Sequence, residues 1–180
     1  EICACLVGSE MCIRDRIHPV DIYAAPAAAR VVRKDYDYAF EEEKYRGAPD
    51  IRLHEIDVAR PLEIAGERIV PVSGHHSERF EVTGYRIGRM AYLTDFKTIA
   101  DAEVGKLIGV ELLVVNALRF RPHPSHFNVE EALALIARVA PRRALITHVS
   151  HEIGRHAATT ALLPRGVELA YDGLEINVND

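Results

Sequence analysis

Ala144-Leu-Ile-Thr-His-Val-Ser-His151 starts as an apolar run and finishes in side chains that bind metals or protons. Ala144–Thr147 has the length and composition of a buried strand, and His148 and His151 follow at once. Working upstream, Asn128–Ala140 reads as the clearest helix. Asn128 can cap it, Glu130 and Glu131 favour its positive end, and Pro141 stops it. Val129, Leu133, Ile136 and Ala140 recur at helical spacing. Glu111–Asn116 (ELLVVN) is a continuous apolar run, as in a strand covered on both faces. Val82–Ile87 and Arg89–Thr94 read as strands around Gly88, and Leu62–Val72 as a hairpin turning at Gly66. Nearer the start, Val20–Tyr23 reads as a short strand, Ala27–Phe40 as a helix opened by Pro26, and Ile51–Val58 as extended. Downstream, His156–Leu163 reads as a helix, and Val167–Tyr171 and Leu174–Val178 as a hairpin around Asp172-Gly173. The expected fold class is α/β (α+β): a mixed sheet system with helices outside, in one domain.

The 180 residues carry 22 Lys+Arg against 27 Asp+Glu, a net charge of -5. That balance offers nucleic acid no broad attraction. No apolar run reaches the roughly 20 residues of a membrane helix.

All three cysteines (Cys3, Cys5 and Cys12) lie in the first twelve residues. They fit neither a disulfide framework nor paired zinc ligands. Leu6–Arg16 back-translates into a transposase-type sequencing adapter read in frame. Residues 1–16 are therefore expected to be an adapter-derived artefact, to be set aside from fold reasoning. The remaining 164 residues hold 24 acidic and 20 basic groups, a net charge of -4, and no Cys. A thiol-free chain suits a reducing compartment, so a cytoplasmic location is expected.

Seven of the nine histidines fall in three short stretches: His75-His76, His123 with His126, and His148, His151 and His156. Each lies near an expected strand end, where mixed α/β sheets usually carry function. Asp95 ends the strand Met90–Thr94; taken alone, it reads first as a turn residue and second as a group aimed into a pocket. Imidazoles and one carboxylate form a ligand set for zinc, and also suit manganese or iron.

The segments Ala91–Asp95 (AYLTD), Val115–Arg119 (VNALR), Ser125–Leu133 (SHFNVEEAL), Leu145–His151 (LITHVSH) and Leu169–Leu174 (LAYDGL) resemble, in that order, the C-terminal portion of the metallo-β-lactamase superfamily. The nearest subgroup is similar to the cyclic-phosphate phosphodiesterases of phosphonate breakdown. The resemblance implies a four-layer αββα sandwich around two divalent metal ions, zinc or manganese. It implies that His76, Asp95 and His148 ligate metal, with Asp95 bridging. It makes His126 the catalytic acid that protonates the leaving oxygen or steadies the phosphate. His151 is implied as a nearby supporting residue. His75 stays open as an alternative to His76, because the stretch to Gly84 is one residue longer than expected.

The family's His-x-His-x-Asp-His motif is absent from the sequence. Residues 17–180 therefore read as the C-terminal portion of one such domain, with three of seven expected ligands and no expected activity alone. The parent is expected to hydrolyse a small phosphodiester, such as a cyclic ribose phosphate, by metal-assisted attack of water. Nucleic acid and membrane are not expected partners, and a homodimer is one expected assembly. One alternative is a tRNA 3′-end endonuclease of the same superfamily, disfavoured by the acidic charge. Another is a truncated, non-catalytic domain with an incomplete metal site. Arg119 and Arg121 read first as exposed loop arginines and second as phosphate partners.

Overall fold

A computed structural model describes residues 19–45 and 47–178. The adapter-like residues 1–16, their three cysteines and His18 lie outside the described residues. The chain divides into two units, one ending at Asp57 and the other beginning at Val58.

In the first unit, strand Val20–Ala24 (β1) leads into helix Pro26–Asp35 (α1), a single 3-10 turn at Asp37–Ala39, and strand Ile51–Glu55 (β2). Pro26 opens α1, where its missing N–H would have no helical partner anyway. The helix ends at Asp35 rather than Phe40. Tyr36 leaves helical geometry at φ -122° while its N–H still bonds the Val32 carbonyl. β1 and β2 pair in parallel, Val20 opposite Ile51 and Ala24 opposite Glu55. A parallel pair needs a long crossover, which α1 and the following loop supply.

The second unit is built on a seven-stranded sheet in sequential order: Leu62–Ile64 (β3), Glu67–Ser77 (β4), Phe80–Ile87 (β5), Met90–Leu93 (β6), Leu112–Asn116 (β7), Arg143–Thr147 (β8) and Val167–Leu169 (β9). β3 to β6 pair antiparallel. β6 to β9 pair parallel. The β3–β4 turn uses Ala65 at φ 52° and Gly66 at φ 83°, the two positive angles that a two-residue hairpin turn of matching twist requires. β4 continues to Ser77, so His75 and His76 belong to the strand instead of following it.

Helices Asp101–Gly105 (α2), Val129–Val139 (α3) and His156–Thr160 (α4) alternate with the parallel strands. α2 is five residues long, too short to leave a periodic signal in the sequence. α3 carries a full capping box. The Asn128 side chain accepts the Glu131 N–H, and the Glu131 carboxylate accepts the Asn128 N–H. Its buried face (Val129, Ala132, Leu135, Ile136 and Val139) joins Leu93, Phe96, Leu113, Val115 and Ile146 in the main core. Every β7 residue is buried, as its unbroken apolar run foretells.

The expected terminal hairpin does not form. The turn does: Leu174 N–H bonds the Tyr171 carbonyl at 3.1 Å, with Gly173 at φ 83°. Residues 174–178 nevertheless join no ladder. Leu174, Ile176 and Val178 instead cover Leu112, Val114 and Leu145 on the second face of the sheet. Covering that apolar face is favoured by roughly 25 cal/mol per Å² removed from water. Among the described residues, no helix is long and apolar enough to cross a membrane.

Candidate metal centre

β6, β7 and β8 run in parallel, so they finish at one edge of the sheet. β4 lies two antiparallel steps from β6 and points the same way. This shared edge receives His76 from β4, Asp95 just past β6, Asn116 from the end of β7 and His148 just past β8. Asp95 (φ 63°) and His148 (φ 56°) both sit in the left-handed region. Non-glycine residues rarely adopt it, and such strain clusters at functional sites.

His76 enters through a bulge. His75 stands opposite Glu81 and Ser77 opposite Phe80, which leaves His76 as the extra residue. Bulges of this kind re-aim a side chain. His76 Nδ1 lies 3.1 Å from the Asp95 carbonyl oxygen. That oxygen can only accept, so Nδ1 holds the proton and Nε2 keeps a free lone pair. Metal-binding histidines are commonly oriented in this way. The His75 backbone bonds Thr98 and Lys97 instead, and its side chain is exposed.

His126 arrives on the loop between β7 and α3. Its Nε2 is 3.3 Å from Asp95 Oδ1 and 3.1 Å from His148 Nε2. His148 Nε2 is 3.4 Å from the same carboxylate oxygen. The donor atoms of His76, Asp95 and His126 all lie within 4.8 Å of one another. The His126 ring meets His76 edge-on at 4.5 Å and stacks on His148 at 4.8 Å. His76, Asp95 and His126 thus form the compact donor group, with His148 against Asp95 and His126, and imidazoles with a carboxylate suit a divalent cation.

On its other side, His126 Nδ1 faces Ser125 Oγ at 3.1 Å and His123 Nδ1 at 3.2 Å. A His126 protonated on both nitrogens finds an acceptor at each. Burial opposes that charge and holds its pKa below the ordinary histidine value, while the bond to Asp95 works the other way. His123 is also lowered, first by burial, then by Arg119 and Lys97.

Arg119 and Arg121 both bond Glu152, at 2.9 Å and 2.5 Å. The Arg121 bond, ahead of Arg119, lowers the Glu152 pKa. These arginines therefore tie the β7–α3 loop to the turn after β8. His151 begins that turn, exposed. His156 Nε2 donates to the Leu169 carbonyl at 2.9 Å, which joins α4 to β9. His54 pairs with Asp21 at 2.6 Å in the first unit. A cavity of about 270 Å³ lies at the opposite ends of β7 and β8, beside Glu111, Arg143 and Glu175. It is remote in the fold from the converging donors, and their chemistry locates the candidate site better than concavity does. Sequence reasoning gave no role to Ser125 or Asn116. The one signal for Asn116 is a polar residue closing an apolar strand.

Residues 8–149 match the model of the Beta-lactamase superfamily domain. The chain belongs to that superfamily. The superfamily domain is also similar to the crystal structure of a diphosphatase from the PhnP family, at 33% identity and a TM-score of 0.78 over 87% of this chain and 57% of that one. Human tRNase Z, short form, aligns over 97% of this chain and 74% of its own at a TM-score of 0.68. At 15% identity that likeness is one of fold. An octanoyltransferase of Porphyromonas gingivalis is 33% identical over 160 residues, 88% of this chain. The aligned part is 32% of that relative's length.

Proposed function

We propose that this superfamily domain serves in metal-dependent hydrolysis of a small phosphodiester, such as a cyclic ribose phosphate. The observation that carries the proposal is the convergence of His76, Asp95, His126 and His148 at one sheet edge. The likeness to a PhnP-family diphosphatase at 33% identity supports phosphorus as the centre attacked. Following the family resemblance, His76, Asp95 and His148 would hold the cation with His126 beside them, and the cation would supply Lewis-acid stabilisation of phosphoryl charge and an acidified water.

The chain's own residues do the rest. The Asp95 carbonyl fixes the His76 tautomer. Asp95 brings the carboxylate, and His148, left-handed like Asp95, places its Nε2 3.4 Å from it. His126 serves as the acid: His123 and Ser125 anchor Nδ1, which leaves Nε2–H to meet the leaving oxygen. A phosphate's negative charge counteracts the burial that lowers its pKa. Full activity is proposed to need the His-x-His-x-Asp-His ligands, which this sequence does not contain.

The test titrates the 180-residue chain with Co²⁺. It also assays the chain joined to an upstream segment bearing that motif, on bis-nitrophenyl phosphate and a cyclic ribose phosphate. His76→Ala, Asp95→Asn and His148→Ala are expected to weaken metal binding. His126→Ala is expected to keep metal binding and lower turnover by about 10²–10⁴-fold, the usual worth of a general acid. Loss of metal in His126→Ala would reassign His126 as a ligand. A metal-loaded protein that cleaves neither substrate sinks the phosphodiesterase reading.

A further inference from the structure

Asn116 is fully buried at the end of a strand whose other residues are all apolar. An amide there is costly unless both of its ends are bonded. Both are, and to one residue: Asn116 Oδ1 accepts the Phe96 N–H at 2.8 Å, and Asn116 Nδ2 donates to the Phe96 carbonyl at 2.9 Å. Phe96 directly follows Asp95. The amide thus acts as one more ladder residue between β6 and β7, just beyond the last paired residues, Leu93 and Val115.

The neighbouring bonds extend this node to the other donors. The Phe96 carbonyl also accepts the N–H of Phe127, the residue after His126, at 2.8 Å. Ala117 N–H bonds the carbonyl of Thr147, the residue before His148, at 3.1 Å. The buried Phe96 ring fills the space above Gly74, two residues before His76; a Cβ on Gly74 would lie 2.2 Å from it. Asp95 therefore adjoins Phe96, His126 and His76 lie one and two residues from residues that touch Phe96, and His148 follows a residue bonded to the neighbour of Asn116. A left-handed Asp95 persists only where its surroundings over-determine it.

We propose that Asn116 is a positioning residue: its amide clamps both backbone groups of Phe96, and so holds Asp95 and His126 in register for cation binding. This rests on the proposed metal site, and the experiment separates the two. Asn116→Asp keeps the shape and the acceptor but turns an oxygen toward the Phe96 carbonyl. Asn116→Ser is a smaller second variant that cannot span both groups. Val139→Ala serves as a control, because it weakens the α3 core face without touching the node.

Backbone amide exchange, read by NMR on the metal-free 180-residue chain, is expected to quicken by roughly tenfold or more at Phe127 in both Asn116 variants and at Phe96 in Asn116→Ser, the factor for about one hydrogen bond. Amides of β8 are expected to keep their wild-type rates. Titration with Co²⁺ alone is expected to show roughly tenfold weaker binding in both Asn116 variants and wild-type affinity in Val139→Ala. Wild-type exchange at Phe96 and Phe127 would overturn the clamp. So would Co²⁺ affinity equal to wild type in both Asn116 variants. Should the wild-type chain bind no Co²⁺, cation binding by these residues alone falls, and the exchange rates alone decide the clamp.

Discussion

Gly74 is a residue whose lack of a side chain has a specific cause. A Cβ there would lie 2.2 Å from the Phe96 ring and 2.8 Å from the Thr98 carbonyl oxygen. The carbonyl belongs to backbone and the ring is fully buried, so neither contact is relieved by a simple rotamer change. Gly74→Ala is expected to destabilise the domain by about 1–3 kcal/mol, as overpacking does. Chemical denaturation checks this, and an unchanged midpoint would refute it. The same packing explains why His76 leads to the donor cluster while His75 does not. Gly74 lets Phe96 sit against β4, and the bulge then turns His76 toward Asp95. Two adjacent histidines in one sequence look alike; pleat and bulge separate them.

Among the elements, α3 is the one whose limits the sequence shows most clearly. Its apolar stripe, its Asn128 cap and the halt before Pro141 are all local features, and local features can be read locally. Asn128→Ala removes the acceptor for the Glu131 N–H and leaves that donor without its partner at a buried helix start. A loss of about 1 kcal/mol is expected from a thermal melt. Asn128→Ser should recover most of it, and a failure to do so would argue against capping as the cause. The terminal hairpin is the contrary case. Asp172-Gly173 signals a turn, and a turn forms, but the strand beyond it packs on a face instead of extending an edge. A turn motif carries no information about which apolar surface is still uncovered.

Over the second unit as a whole, two loops that leave neighbouring strands are tied by one carboxylate. Glu152 receives Arg119 and Arg121, and those bonds hold its pKa below the ordinary carboxylate value. A depressed carboxylate adds stability that is present above its unfolded pKa and lost as pH falls through its folded one. The melting temperature of wild type is therefore expected to exceed that of Glu152→Gln at neutral pH, by a small margin suited to an exposed ion pair. The two are expected to converge as the pH drops below the carboxylate range. A gap that widens on acidification would contradict the assignment.

The sequence by itself determined the chemistry available and the order in which strands deliver it. Histidines near expected strand ends, Asp95 after one of them and no thiol beyond the first twelve residues are facts of residue type, and apolar runs that end in His or Asp mark where a strand stops. It also determined α3, the β3–β4 turn and the buried character of β7, because each depends on neighbours in the chain. Only the tertiary structure decided that His76 enters the cluster through a bulge, that residues 174–178 cover the second face, and that Asn116 closes on Phe96 across twenty positions of chain. These are contacts between distant segments. Which partner a buried amide or an apolar strand finds depends on register and on competing surfaces, and neither is written in any local stretch of residues.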